Sequence, residues 1–370
     1  MAAVLLPSGL FDLLPPQAAA EAHAARSLLT HFAACGYQQV TPTLVEYEDS
    51  LFGGKNQAAS AHSFRIMDPI SQRMMAIRAD MTMQIARIAG STLAHEPRPL
   101  RLCYAGQTLR TTAHGLRSAR QFRQIGIELF GANSVQADVE VIQTATAALM
   151  GLGLGPLSVD INLGGVFDAL VSALSAADKA QLTEAVSRKD SKAIEAFNLP
   201  LISELIAAAG PAATALKKLE TLTGLPPALA AAIADLKQAV TLLAQRFGDA
   251  LSITIDPLEL RGFGYYCGIG FSLFLKNEQV EVGRGGRYQT EHQEQATGFT
   301  LYTEHLVSVL PIPAQAPLVL LASDTTEAEA QRVREQGYRT CYAVTASLQE
   351  EAKTQQIRHI YRNHKLEEIA

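Results

Sequence analysis

Four stretches of this 370-residue chain set polar side chains among apolar ones at spacings that suit chemistry. The first is Arg78-Ala-Asp80-Met-Thr82. On an extended strand Arg78, Asp80 and Thr82 share one face, because side chains alternate with period two. A carboxylate beside a hydroxyl suits an ammonium group. The same Asp and Thr also suit the start of a helix running to about Ala89 and stopping at Gly90, the commoner use of these residue types. The second stretch is Gln121-Phe-Arg-Gln124-Ile-Gly-Ile-Glu128. A strand points Gln124 and Glu128 to one face and Arg123, Ile125 and Ile127 to the other. A Gln and a Glu together can hold an amine or an imidazole, although a solvated sheet face carries the same pattern.

The third stretch, Arg261-Gly-Phe-Gly-Tyr265-Tyr266-Cys-Gly268-Ile-Gly270, places an arginine ahead of paired tyrosines. A guanidinium clamps carboxylates, and aromatic rings wall pockets. The glycines mark close approach, either by a ligand or by another backbone in a kinked core strand. The fourth, Gly283-Arg-Gly-Gly-Arg287-Tyr288, reads as a glycine turn with two arginines, a hairpin turn or a phosphate nest. No Walker loop, dinucleotide-binding glycine fingerprint, H-E-x-x-H or G-x-S-x-G occurs. The four cysteines, Cys35, Cys103, Cys267 and Cys341, are scattered, with no C-x-x-C pair and no His at metal-ligand spacing. The expectation is reduced thiols, no metal and no cofactor.

Several elements must position these groups. Residues 17–35 spell an alanine-rich helix ended by Gly36. A short β-like run, Tyr37 to Pro42, follows. Phe64 and Ile66, then Met74 and Ala76, suggest a hairpin turning at Asp68-Pro69. Arg101 to Ala105 and Gln121 to Phe130 read as strands around a polar loop, and a helix runs from about Gln136 to Met150. Leu157 to Leu163 alternates as a strand with one wet face. Strands resume at Leu251–Ile255, Arg261–Phe274 and Gln279–Tyr288, with a helix near Thr303–Leu310. After the proline-rich linker Pro311 to Pro317, the pattern reads strand, helix, strand, helix. The domain expectation is therefore residues 1–165 with 249–310, a leucine-rich helical insertion over 166–248, and a small α/β unit over 318–370.

A hydrophobic content of 48% excludes disorder as a whole-chain reading. The net charge of −5 lacks the basic excess of a chain that neutralises phosphates along a nucleic acid. The RHIYRNHK run at 358–365 is the single basic candidate and reads as a solvated helix face. No apolar run approaches the ~20 residues that span a bilayer, and the N-terminus does not read as a signal peptide. The expectation is a cytoplasmic protein that binds no membrane.

Taken in order, the four stretches resemble the class II aminoacyl-tRNA synthetase core, and histidyl-tRNA synthetase in particular, over about residues 7 to 310. Gly36-Tyr37 through Pro42 resembles class motif 1, which builds a dimer interface. Arg101 to Glu128 resembles motif 2, and Arg261-Gly-Phe-Gly-Tyr265-Tyr266 the histidine-specific segment. Gly285-Gly-Arg-Tyr288 resembles the glycine turn after it, and Gly298 to His305 motif 3. The resemblance implies an α+β fold: an antiparallel sheet flanked by helices, with a helical insertion and a truncated α/β tail. It also implies a histidine pocket from Asp80, which replaces a Glu, with Thr82, Arg110, Gln124, Glu128, Arg261, Tyr265 and Tyr266.

The ATP machinery departs from that pattern. The motif 2 Arg-x-Glu reads Arg110-Thr111-Thr112, and the loop arginine is replaced by Ser118, flanked by Arg117 and Arg120. In motif 3 a glycine is Tyr302 and the last arginine is His305. Losing such donors removes roughly 10²–10³ in rate each. A synthetase-like chain that keeps the amino-acid pocket and loses adenylate chemistry resembles the regulatory-subunit family of ATP phosphoribosyltransferase, from histidine biosynthesis. That resemblance implies a non-catalytic subunit, with no catalytic residues of its own. It would join the short catalytic subunit in a hetero-octamer, self-associate through the synthetase-like dimer interface, take L-histidine as effector and bind no tRNA. The rival expectations are an ATP-dependent amino-acid-activating enzyme and an RNA-binding regulator.

Overall fold

A computed structural model of the chain describes residues 5–52, 61–112, 119–260, 265–278 and 280–369, with the backbone alone at residue 305. Arg261, Arg117 and Ser118 lie outside the described residues. The chain divides into two compact units, Met1–Pro311 and Ile312–Ala370.

The first unit is built on a nine-stranded sheet. Its strands, in chain order, are β1 (Gln38–Gln39), β5 (Leu100–Leu109), β6 (Gln121–Phe130), β7 (Leu157–Leu163), β8 (Gly210–Pro211), β9 (Leu251–Ile255), β10 (Tyr266–Leu275), β11 (Val280–Gln289) and β12 (Gln295–Tyr302). A separate three-stranded sheet holds β2 (Val45–Tyr47), β3 (Arg65–Met67) and β4 (Met74–Ile77). The large sheet runs β1-β5-β6-β12-β11-β10-β7-β9-β8. Its pairings are antiparallel except at β1–β5 and β7–β9.

One face of this sheet carries the main core. Ile125, Ile127 and Leu129 of β6, Leu273 of β10 and Leu301 of β12 point there. They meet Leu28 and Phe32 of the helix Gln17–Ala34 and Val141, Ile142 and Ala145 of the helix Val135–Gly151. Gly36, in the left-handed region at φ 87°, stops the first helix. Ser134 caps the other by accepting from the Ala137 amide.

Five helices between Val166 and Glu220, and a longer one at Pro227–Phe247, add Leu182, Leu205, Leu219, Leu236 and Leu243 to the same core. The segment read as an insertion therefore shares its interior with the sheet, and β8 pairs with β9 at the edge. The Pro227–Ala250 segment is long and apolar enough to cross a membrane on length and composition. The stripe Leu229, Ile233, Leu236, Val240 and Leu243 is instead buried in the core. The opposite sheet face bears a smaller cluster, with Met81, Ile85, Leu102, Tyr104, Phe130, Tyr266 and Tyr288.

The Asp68 turn forms as its sequence suggests: its carboxylate accepts from the Ile70 and Ser71 amides. Two expectations fail here. Arg78, Asp80 and Thr82 do not share a strand face, because β4 ends at Ile77 and a helix starts at Thr82 and runs to Gly90. Arg78 turns inward and donates to the carbonyls of Gln107, Pro42 and Thr43. Nor is Gly283–Tyr288 a turn: it lies within β11, a central strand, as the strand expected over Gln279–Tyr288 implies. Its glycines answer crowding instead. A Cβ on Gly285 would lie 2.2 Å from the Gly298 carbonyl oxygen, and one on Gly283 would lie 2.4 Å from that of Thr300.

The second unit is a four-stranded sheet ordered β14-β13-β15-β16, with β13 at Leu318–Leu321, β14 at Arg339–Tyr342, β15 at His359–Arg362 and β16 at Lys365–Glu368. The helices Glu327–Glu335 and Leu348–Thr354 pack on it through Ala330, Val333 and Ala352. The expected helix over 358–365 is a hairpin. Asn363 and His364, at φ 48° and 62°, form its two-residue turn, and Ile360 is fully buried.

Candidate functional site

The antiparallel register lines side chains into rows across the sheet face opposite the main core. One row reads Leu102, Glu128, Gly298, Gly286, Gly270 across β5, β6, β12, β11 and β10. The next reads Tyr104, Gly126, Thr300, Arg284, Ser272, and the row on the other side Leu100, Phe130, Ala296, Tyr288, Tyr266. Three successive glycines beside Glu128 leave a trough without Cβ atoms, walled by polar residues on one side and rings on the other. Glu128 lies down into it: a Cβ on Gly298 would fall 1.7 Å from Glu128 Oε2.

The Glu128 side chain is buried, and Tyr288 donates to Oε2 at 2.9 Å. Tyr104 lies 3.4 Å from Oε1, and its hydroxyl is 2.7 Å from Thr300 Oγ1. Burial pushes the Glu128 carboxyl up to about 8, with Asp80 adding to the rise and the Tyr288 and Tyr104 hydroxyls opposing it. The group is therefore mostly protonated at neutral pH.

Asp80 and Gln124 form a second cluster. Asp80 Oδ1 accepts from the Thr82 amide at 2.8 Å, so it serves the helix start. Its Oδ2 accepts from Gln124 Nε2 at 2.7 Å, while Gln124 Oε1 accepts from the Met81 amide at 2.8 Å. The helix-start reading of the first stretch therefore holds at Asp80, whose second oxygen is fixed by Gln124. Thr82 Oγ1 reaches the Tyr104 hydroxyl at 3.5 Å.

The two tyrosine rings lie tilted against each other at 33°, with centroids 4.2 Å apart, and the Tyr265 hydroxyl donates to that of Tyr266. Tyr265 is 53% exposed and stands at the mouth, while Tyr266 is buried. A cavity of about 10 Å³ remains, lined by Thr82, Glu128, Tyr265, Tyr266, Arg284 and Tyr288 together with Gly298, Phe299 and Thr300. Arg110 is not in that wall: it donates to the Ala79 carbonyl and stacks over Phe122 at 4.8 Å. Reasoning from sequence missed Tyr104, Tyr288, Thr300 and Arg284 as site residues. Their signal was register: Tyr104 and Thr300 flank Gly126, Tyr288 pairs with Tyr266, and Arg284 pairs with Thr300.

The departures from the synthetase pattern also have definite places. Thr112 Oγ1 meets His62 Nδ1 at 3.3 Å. Tyr302 is buried, and its ring meets Phe122 edge-on at 5.9 Å, beside the Arg110 stack.

The histidyl-tRNA synthetase family model matches residues 9–306. The chain is 45% identical to the ATP phosphoribosyltransferase regulatory subunit of Paramagnetospirillum magneticum, over 96% of this chain and 95% of that one. It is 40% identical to that of Rhodospirillum centenum, over 99% and 96%. Its fold matches a crystal structure described as an ATP phosphoribosyltransferase regulatory subunit/histidyl-tRNA synthetase from Bacillus halodurans, with TM-score 0.80, 21% identity and coverage of 95% and 97%. It also matches histidyl-tRNA synthetase from Nostoc, with TM-score 0.78, 18% identity and coverage of 97% and 91%. The trough, the class II fold and these relatives converge, and the chain belongs to the ATP phosphoribosyltransferase regulatory subunit family.

Proposed function

We propose that this chain activates the short catalytic subunit of ATP phosphoribosyltransferase and conveys feedback inhibition by L-histidine bound in the trough. The observation that carries this reading is the pairing of a fixed carboxylate, Asp80 held by Gln124, with a buried carboxyl, Glu128, beyond it. Asp80, Thr82 and Gln124 suit the ammonium. Glu128, protonated when the site is empty, can donate to a ring nitrogen, or ionise and accept from an imidazolium. The resemblance adds Arg261 for the carboxylate and Arg110 nearby. The cavity holds on the order of one water molecule, so histidine enters by displacing Tyr265 at the mouth.

Adenylate chemistry is not the use of this site. Thr112 offers no carboxylate, and Tyr302 fills space on the nucleotide side. The chain acts instead by linkage. Histidine favours one arrangement of the subunit, and the attached catalytic subunit responds; a coupling of ~1–3 kcal/mol suffices for useful feedback. The assembly is a cytoplasmic hetero-octamer, self-associating through the motif 1 segment, without tRNA. The test mixes the host's short catalytic subunit with this chain and assays transferase activity. Activity that rises on mixing supports the proposal. No stimulation at any ratio, or histidine-stimulated ATP–pyrophosphate exchange by this chain alone, would overturn it.

A further inference from the structure

Among the described residues, the cavity lining offers one carboxyl, Glu128, and one cation, with Asp80 close behind it. A zwitterionic amino acid needs an anion for its ammonium and a cation for its carboxylate. Asp80 supplies the anion, since Glu128 is mostly protonated at neutral pH. Among the described residues that line the cavity, Arg284 is the one cation. Arg287, three residues on, belongs elsewhere: it points to the main core side and pairs with Asp138 and Asn133.

Arg284 is already holding a carboxylate. Its Nε and Nη2 donate to Glu281 Oε1 and Oε2, each at 2.7 Å. A regular strand would send residues 281 and 284 to opposite faces. Here β11 carries a bulge against β10, since Gly283 pairs with Leu273 and Glu281 with Phe274. The extra residue, Val282, is buried in the main core. That bulge turns Glu281 onto the face of Arg284, as bulges beside sites re-aim side chains. The pair is only partly buried, with side chains 23% and 22% exposed, so it lies within reach of the cavity mouth and of water.

We propose that Arg284 recognises the carboxylate of the bound amino acid, and that the incoming carboxylate displaces Glu281 from the guanidinium fork. This rests on the reading of the trough as a histidine site. The exchange swaps one bidentate carboxylate for another, so the fork keeps its hydrogen bonds and its charge stays balanced. Glu281 then moves to solvent, at the cost of one exposed ion pair. The resemblance gives the carboxylate to Arg261; the geometry gives it to Arg284.

Calorimetric titration of the full chain with L-histidine and with histamine, which lacks the carboxylate, separates the cases. Wild type should prefer histidine. Arg284→Ala should weaken histidine binding by roughly tenfold to a hundredfold, the loss expected for a charge-assisted pair, and leave histamine binding unchanged. Glu281→Gln should bind histidine severalfold more tightly than wild type, because a weaker competitor holds the fork. A purely structural ion pair gives no such gain, and this variant keeps the side-chain shape if Arg284→Ala fails to fold. The proposal is overturned if Arg284→Ala keeps the full preference for histidine while Arg261→Ala erases it, or if Glu281→Gln leaves histidine affinity unchanged. Wild type that binds neither ligand would overturn the reading of the trough itself, a separate result.

Discussion

Glu128 concentrates the physics of the site in one residue. Its carboxyl lies in a glycine row, under tyrosine hydroxyls, and titrates near 8 instead of 4.5. Between those values the folded chain holds a proton that the unfolded chain has released. Stability therefore falls as pH rises through that window, and is retained below it. The groups facing Glu128 are Asp80, Tyr104, Tyr288 and Thr82. Glu128→Gln keeps a hydrogen-bonding side chain of the same shape without the titration. Melting temperatures measured near pH 5 and pH 8.5 should fall more for wild type than for the variant, by an amount on the order of 2–4 kcal/mol in stability. Parallel pH profiles would contradict the assignment. Gln124 and Glu128 were legible as a same-face pair because strand parity is a property of sequence alone. Tyr104, Thr300 and Tyr288 were not, since their place depends on register between strands far apart in the chain, which no local pattern encodes.

At the scale of elements, the long sheet strands announced themselves through alternation. Gln121–Phe130, Leu157–Leu163 and Leu251–Ile255 follow their apolar pattern to the residue. Elements whose pattern local signals obscure were harder. Glycines suggested a turn inside the stretch that alternation marks as the strand Gln279–Tyr288; β11 is that strand, and its glycines serve close approach between strands. The hairpin at 358–365 looked helical because its turn residues, Asn363 and His364, are not the Asn-Gly or Asp-Gly that usually mark one. Asp80 meets both the Thr82 amide and Gln124 because the chain turns from β4 into a helix within four residues. Arg78 fixes that turn: its guanidinium satisfies carbonyls of Pro42, Thr43 and Gln107, tying the small sheet to β5. Arg78→Met would leave those carbonyls unpaired. It should cost about 2–5 kcal/mol by urea unfolding and loosen Asp80, so histidine binding should weaken as well. An unchanged unfolding midpoint would show that the turn is held by other contacts.

For the whole molecule, the described site residues all lie in the first unit, between Asp80 and Thr300, and none in residues 312–370. The family is that of a regulatory subunit of ATP phosphoribosyltransferase. The central claim is that histidine acts on the transferase through this trough. The most direct test titrates histidine into the transferase complex assembled with wild-type subunit or with Gln124→Ala, which removes the group that fixes Asp80. The account predicts that both complexes are active, and that the variant needs at least about tenfold more histidine for half inhibition, as expected for the loss of about 1.4 kcal/mol of ligand binding. An inhibition curve that coincides with wild type would place the histidine that regulates the enzyme somewhere other than this site.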